Sequence, residues 1–353
     1  MSSFVFENHD CENLDELIDL TKTYYSGGDI VNKDYIKWQY LQNPFGKPFL
    51  VVTRVEDSKE LAGQYLVIPQ EYTVNNKVHK GALSLNTLTK KEFQGKGLFT
   101  KMALKTYELC QKNSHNIIIG FPNQQSYPGF VKKLNFKYLG NVPLLVKPIK
   151  PFNVLVNKLR KKEKHGGEIT LNFSNESTKF SLLSFEHDQP LYEKFWEIYS
   201  SQTKLQTHKS WAYINWRYKN IPTRNYTLFK SVINNKMIGL VALRGENTLG
   251  NRTALIMDLM LLNGAELLKE HKAFLSIILK NIKHSKIDLL ASIMNENTFE
   301  YRLLKQKVFF KVPQFILPQP IPFITRTNQD FDGSHLIDDL TNWHLCFGDY
   351  DVF

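Results

Sequence analysis

Cysteine is scarce in this sequence. Cys11, Cys110 and Cys346 are the only three in 353 residues, too few and too scattered for a disulfide framework or a zinc cluster, so a reduced cytoplasmic protein is expected. Long apolar runs are missing too. No stretch approaches the roughly 20 residues needed to cross a bilayer, and the segment through Asp10 has no charged region leading into an apolar one. Neither a membrane span nor secretion is expected. Acidic residues are in deficit: 34 Asp and Glu stand against 45 Lys and Arg, for a net charge of +11. Such a surplus fits a polyanionic partner (nucleic acid, an anionic membrane surface or a phosphate-rich small molecule) and equally a solvated basic face. Part of it is local, since Lys158, Arg160, Lys161, Lys162 and Lys164 crowd one linker-like stretch. What is present excludes disorder: 42% of residues are hydrophobic and 13% aromatic. The length suits two domains, each large enough to bury its own core.

The two domains read as copies of one unit. Tyr35-Ile36-Lys37-Trp38-Gln39-Tyr40, followed by Pro44 and Leu50-Val51, is matched in spacing by Tyr213-Ile214-Asn215-Trp216-Arg217-Tyr218, Pro222 and Leu228-Phe229. Further echoes keep the same order: Ala62-Gly63 with Ile238-Gly239, Asn86 with Asp258, and Asn123 with Asn295. Periodicity gives each copy an N-terminal helix, capped by Asp10 or Asp188, and then β-rich runs with hairpin turns at Asn75-Asn76 and Asn234-Asn235. A long helix follows (near Leu98 to Gln111, and Ala265 to Ile282), then a buried strand, a short helix and a last strand, which in the first copy runs near Tyr138 to Val146. The expected class is α/β (α+β), with a mixed, mostly antiparallel central sheet flanked by helices in each unit. The expected divisions are 1–150, a basic linker 151–167, a second unit 168–325 and an acidic, aromatic-bearing tail 326–353 that packs back on the protein. Trp38, Tyr40, Trp216 and Tyr218 fit core positions or stacking platforms for a ligand.

The stretch that carries chemistry runs from Leu83 to Thr100, where a strand enters a glycine-bearing turn that opens a helix. Unpaired amides and the positive dipole end converge at a helix start. Gly95 and Gly97 allow close approach to the backbone, and Lys90, Lys91 and Lys96 add charge. A diphosphate fits such a turn, as does no ligand at all. Neither of the two common phosphate-loop patterns is present.

Gln94 followed at the right spacing by Gly97 resembles the coenzyme A loop of the GNAT acyltransferases, with one departure: Phe99 stands where the family has Gly or Ala. The order of elements over residues 1–147 is similar to that fold, and the repeat extends a degenerate GNAT-like unit over the second half. The resemblance implies an acyl-CoA donor held by Leu88, Thr89, Gln94, Gly95, Lys96, Gly97, Leu98, Phe99 and Thr100, with Asn123 on the pantetheine arm and no metal. The second copy has Asn263-Gly264-Ala265-Glu266 at the matching place, with one glycine and a carboxylate that repels phosphate, so one coenzyme A site per chain is expected.

The family resemblance further implies direct attack of an amine on the thioester, an amide near Leu85 to Leu88 for the oxyanion, and a general acid on the short helix. Val131 stands at that acid's usual place, and Tyr127, one turn earlier, is the candidate, a packing tyrosine being the alternative. Asn86 is a candidate catalytic residue on the loop-bearing strand, which from Lys80 to Thr89 carries no His or Glu; for the base the candidates are Asp258 at the position matching Asn86, the nearby Glu92 and a surface His115, or a water chain. The closest resemblance is to two-domain N-acyltransferases of bacterial surface-glycan synthesis. That implies acetyl-CoA or 3-hydroxybutanoyl-CoA as donor, a nucleotide-linked (dTDP-) 3-amino-3,6-dideoxyhexose as acceptor, no nucleic-acid partner, and a homodimer as one possible assembly. The alternatives are a FemABX-like aminoacyl transferase drawing on charged tRNA and a non-catalytic binding protein of the same fold.

Overall fold

The computed structural model describes residues 3–159, 167–317, 319–328, 331 and 333–350. Arg160 to Lys164 of the expected basic linker, and Asp330, Asp332 and Asp351 of the tail, lie outside the described residues. The chain divides into two compact units: Met1–Asn141 with Asn220–Thr223 and Ile321–Leu340, and Val142–Lys219 with Arg224–Pro320 and Thr341–Phe353.

The first unit runs β1 (Phe4–Asn8), α1 (Leu14–Lys22), α2 (Lys33–Leu41), β2 (Phe49–Val55), β3 (Leu61–Val74), β4 (Lys77–Thr89), α3 (Leu98–Lys112), β5 (Ile117–Gly120), α4 (Tyr127–Lys133) and β6 (Lys137–Asn141). Its sheet has the order β1-β2-β3-β4-β5, then the strand Pro322–Thr327, then β6. Every neighbouring pair is antiparallel except β4 with β5, which is parallel. The hairpin between β3 and β4 turns on Asn75 and Asn76 at φ +45° and +66°, the left-handed pair that a two-residue turn needs. Asn13, not Asp10, caps α1, its Oδ1 accepting from the Glu16 amide; Asp10 instead accepts from Glu12. Helix α3 lays Met102, Ala103, Tyr107 and Cys110 on the sheet, all under 5% exposed. Burying each of its larger apolar side chains is worth about 1.5–3 kcal/mol.

The second unit runs β7 (Leu144–Pro148), α5 (Pro151–Leu159), β8 (Glu168–Ile169), β9 (Phe180–Leu182), α6 (Gln189–Ser201), β10 (Leu205–Thr207), α7 (Trp211–Ile214), β11 (Thr227–Ile233), β12 (Lys236–Thr248), β13 (Asn251–Leu261), α8 (Leu268–His284), β14 (Leu289–Ile293), α9 (Phe299–Gln306) and β15 (Phe310–Lys311). Pro322–Thr327 is β16, Ser334–Ile337 is α10 and Trp343–His344 is β17, which pairs with β10. The sheet order is β15-β7-β14-β13-β12-β11-β9, with β8 against β12. Asn234 and Asn235 turn the β11–β12 hairpin at φ +48° and +59°. Asp188 precedes α6, but its carboxylate accepts from the Ser184 amide and pairs with Lys230 instead of capping the helix.

The expected single strand from Tyr138 to Val146 is two strands in two sheets. β6 stays with β16 in the first unit, whereas β7 joins β14 in the second. Pro143 lies between them and has no amide to continue a ladder. Conversely β16, the last long strand of the second copy, pairs with β5 in the first unit. Each sheet therefore takes its terminal strand from the other half of the sequence.

The duplication shows in detail. In the first unit β4 carries extra residues opposite β3: Leu85 faces Leu66, Leu88 faces Gln64, and Asn86 and Thr87 form a bulge between them. In the second unit β13 bulges at Met257, between Ile256 facing Leu243 and Asp258 facing Ala242. Both bulges sit just beyond a short parallel pairing. The repeated aromatics are core: Trp38, Tyr40, Trp216 and Tyr218 are 1%, 2%, 5% and 4% exposed. Tyr40 holds the Asn86 side chain and Tyr218 holds Asp258, so the two copies anchor the bulge alike.

Candidate functional site

In the first unit, β4 and β5 pair only from Gly81 with Ile117 to Ser84 with Gly120. Beyond Ser84, β4 continues to Thr89 paired with β3 but no longer with β5, which leaves a gap between the two parallel strands. Ser84 to Thr87 are partly exposed along its edge. Asn86 has φ +48°, a left-handed conformation that asparagine tolerates better than most residues. Its Nδ2 donates to Gln39 Oε1 (3.0 Å) and to the Tyr40 hydroxyl (3.1 Å), and Gln64 Nε2 donates to its carbonyl (3.0 Å). The structure thus places Asn86 as the residue that shapes the bulge.

The turn from β4 to α3 is built to leave its amides open. The amides of Phe93 and Gln94 donate back to Lys90 and Lys91, and that of Lys101 donates to Gly97 (3.1 Å). Between them, no amide from Gly95 to Thr100 has a partner among the described residues. Gly95 and Gly97 sit at φ +79° and +76°, and a Cβ added to either would meet nothing within 4 Å. Gly97 is also the residue that precedes α3, with left-handed backbone, and Gln94 to Gly97 are exposed. The Gln94 side chain is bonded toward β4. It donates to the Tyr24 hydroxyl (3.0 Å) and to the Thr89 carbonyl (3.2 Å), and Tyr24 donates to the same carbonyl (2.6 Å), so the loop is tied to the end of β4. Lys90 pairs with Glu60, whereas Lys91 lies over the Tyr24 ring and Lys96 over Phe4 and Phe93. Leu88 and Leu98 point into the core.

Phe99 points away from the turn. Its ring packs against Tyr65 and Phe130, at 5.6 and 5.5 Å between centroids, and against Gly129, where a Cβ would come within 2.9 Å of it. The bulk that replaces the family's small residue is therefore absorbed by the core and by a glycine on α4. Thr100 is half-buried in the first turn of the helix.

The expected catalytic residues lie on separate elements. Tyr127 opens α4 and stacks edge-on to Tyr138 (5.4 Å), partly buried on the core. Asn123 is exposed and accepts from the Gln125 and Ser126 amides (3.0 and 2.9 Å), shaping the entry to α4. His115, expected at the surface, is 8% exposed, because Phe49 packs edge-on to its ring; burial lowers its pKa. Glu92 is exposed. Asp258, in the second unit, is fully buried, bonded to Lys209 and Tyr218, with Asp349 3.4 Å from the same ammonium. Burial works against the charge on Lys209, but the two carboxylates outweigh it and hold the ammonium protonated. Asp258, Cys346 and Asp349 lie close enough to share a metal ion, yet Lys209 already occupies the position between the carboxylates.

The matching turn of the second unit lacks the two left-handed glycines and carries the Glu266 carboxylate against Gly264. Gly264 is extended, at φ −175°. Gln202 bonds both the amide and the carbonyl of Asn263, and Glu300 accepts from the Leu261 amide (3.0 Å). The gap beyond the β13–β14 pairing is filled by the tail: Asn295 donates to the Trp343 carbonyl (2.7 Å), and Gly348 lies so close to Met257, Asp258 and Tyr218 that no Cβ fits. Sequence reasoning missed Lys209, the Ser84–Tyr65–Tyr107 contacts described below, and this occupant; the aromatic tail was the only signal for the last.

Residues 12–139 match the acetyltransferase (GNAT) domain family. No curated protein matches the sequence closely enough to count as a relative. Among solved structures, Saccharomyces cerevisiae N-myristoyltransferase with bound myristoyl-CoA is similar over 92% of this chain and 83% of its own, at 13% identity and a TM-score of 0.60. A GCN5-related N-acetyltransferase from Anabaena variabilis is similar over 92% and 73%, at 13% identity and a TM-score of 0.65. A probable N-acyltransferase from Enterococcus faecalis is similar over 92% and 73%, at 10% identity and a TM-score of 0.60. Among the described residues no helix is long and apolar enough to cross a membrane. The chain has the GNAT fold in two units and, with the GNAT acetyltransferase domain at residues 12–139, is an acyltransferase.

Proposed function

We propose that this protein transfers an acetyl or 3-hydroxybutanoyl group from coenzyme A to the amine of a nucleotide-linked (dTDP-) 3-amino-3,6-dideoxyhexose, using one cofactor site in the first unit. The observation that carries the cofactor half is the run of unpartnered amides from Gly95 to Thr100, around two left-handed glycines with open space where side chains would be. Those amides and the α3 dipole would hold the diphosphate, with Lys91 and Lys96 adding charge. The bound thioester supplies the activated acyl carbonyl. The myristoyl-CoA in the yeast structures supports an acyl-CoA as the donor in this fold. Two anionic substrates suit a chain of net charge +11.

The chain's own residues then bind, orient and exclude water. The open edge of β4 offers backbone groups to an extended arm lying in the gap, as a neighbouring strand would. Amides at the Asn86–Thr87 bulge, freed from regular pairing, are the donors available for an oxyanion, and one well-aimed donor is worth roughly 3–4 kcal/mol. Free-thiol release from acetyl-CoA and 3-hydroxybutanoyl-CoA, measured with a panel of nucleotide-linked amino sugars, tests the reading. Release dependent on a dTDP-linked 3-amino sugar is expected. Coenzyme A binding without release for any sugar would overturn the acceptor, and failure to bind coenzyme A would overturn the whole.

A further inference from the structure

Ser84 is the last residue of β4 paired with β5, at the vertex of the gap, and it is partly exposed. Its Oγ lies 3.1 Å from the Tyr65 hydroxyl, which in turn is bonded to the Tyr107 hydroxyl. Both tyrosines are buried, at 0% and 4% exposure, and burial raises both pKa values, so both stay protonated. The direction of this chain of hydroxyls follows from counting donors. Tyr107 has one O–H, and its only hydrogen-bond partner among the described residues is Tyr65. A buried donor left unmade is costly, so Tyr107 donates to Tyr65. Tyr65 then has its own proton to give and Ser84 to receive it. The Ser84 proton is left pointing outward, polarised by two donors behind it. Arg326, whose guanidinium lies over the Tyr107 ring at 4.9 Å, backs the inner end of the chain with positive charge.

From Ser84 to Thr89 β4 spans about 14 Å, because its bulge sets five steps against the four of β3 from Val67 to Gly63. An extended pantetheine arm whose diphosphate is held at Gly95 to Thr100 covers that length along this edge. An arm of that length brings its sulfur to the vertex. On α4, Val131 packs on the core and the Tyr127 ring packs edge-on to Tyr138.

We infer that the Ser84 hydroxyl, oriented by Tyr65 and Tyr107, donates a hydrogen bond to the coenzyme A sulfur and stabilises it as the thiolate departs. This rests on the cofactor reading above. In the step, the amine nitrogen bonds to the acyl carbon, the C–S bond breaks with its electron pair going to sulfur, and the proton lost by the amine goes to solvent. Ser84 shares its proton with the thiolate without giving it up. Ser84 is thus assigned as a catalytic residue, with Tyr65 and Tyr107 as positioning residues.

The test needs no acceptor. Free coenzyme A is bound to the protein and its thiol titrated by the ultraviolet absorbance of the thiolate. The bound thiol should titrate below free coenzyme A, and Ser84→Ala should raise its pKa by about one unit, a tenfold change in ionisation. Tyr65→Phe should raise it by a similar amount and Tyr107→Phe by less, while Ser84→Thr should restore it. Desulfo-coenzyme A should bind wild type and Ser84→Ala equally, which separates the sulfur contact from a general loosening of the gap. An unchanged thiol pKa in Ser84→Ala, with coenzyme A still bound, would overturn the assignment alone. No coenzyme A binding by the wild type would overturn the assignment together with the reading beneath it.

Discussion

Replacing Gly97 tests the open turn most directly. The residue sits at φ +76°, so any residue with a Cβ costs roughly 1–2 kcal/mol of local strain, even though nothing crowds the added atom. Gly97→Gln and Gly97→Glu share that strain and differ only in charge. The glutamate would stand beside the amides that are meant to meet a diphosphate. At about 4 Å, one pair of like charges costs about 1 kcal/mol in water and about 4 kcal/mol at the effective dielectric of a protein surface. Gly97→Glu should therefore bind coenzyme A at least about tenfold more weakly than Gly97→Gln. Added salt should narrow the difference. Isothermal titration of both variants reads the affinity and also the stoichiometry: with Gly264 extended and the Glu266 carboxylate beside it in the second unit's turn, wild type should bind one coenzyme A per chain. Equal affinity in the two variants would refute a diphosphate at this turn. A second equivalent of coenzyme A retained in Gly97→Glu would refute the single site.

Asp258→Ala should destabilise the second unit by about 3–5 kcal/mol in urea unfolding, because Lys209 would be left charged and buried beside Asp349 alone, and coenzyme A affinity should not change. Gly129→Val should cost about 1–3 kcal/mol, since the new side chain overlaps the Phe99 ring; combining it with Phe99→Ala should recover part of the loss in a double-mutant cycle. For pH, burial opposes the charge on His344, but Cys346 and Glu300 outweigh it and raise its pKa well above 6.5. Its contribution to stability is full below about pH 6.5 and fades as pH rises through the folded value. Burial likewise opposes the charge on Glu300, but His344 and backbone donors lower its pKa below 4.5, so its contribution is present above about pH 4.5 and fades as pH falls through the folded value. Hydrogen exchange across α9 and β17 should follow both limbs, and His344→Gln should flatten the alkaline one.

Local chemistry made much of the first unit legible. Asparagine pairs at 75–76 and 234–235 can turn a hairpin on their own conformational preference, and the glycines after Gln94 mark a strand-to-helix turn whatever surrounds them. Phe99 was legible as a departure, but its consequence was not, because the space that absorbs it comes from Gly129, thirty residues on. Tyr65 reads in sequence as one more apolar strand residue, and nothing local reveals that its hydroxyl meets Ser84 and Tyr107. Asp258 is a base candidate in sequence because it matches Asn86 in the repeat; only tertiary packing brings Lys209 and Tyr218 to it. Asp10 is an ordinary capping residue one turn too early, and Asn13 won by position.

The crossing of β7 and β16 into opposite sheets also governs how this protein can be made. Residues 1–141 leave the ribosome with β5 paired to β4 on one side only, and its other neighbour is not synthesised until Pro322–Thr327 emerges near the end of the chain. Through most of translation the half that carries the open turn is a sheet with a raw margin, exposed to misplaced pairing. The duplicated gene thus cannot simply be cut in two. A fragment ending near residue 150 should need the missing strand supplied in trans, and the site it bears matures only when the last tenth of the polypeptide arrives.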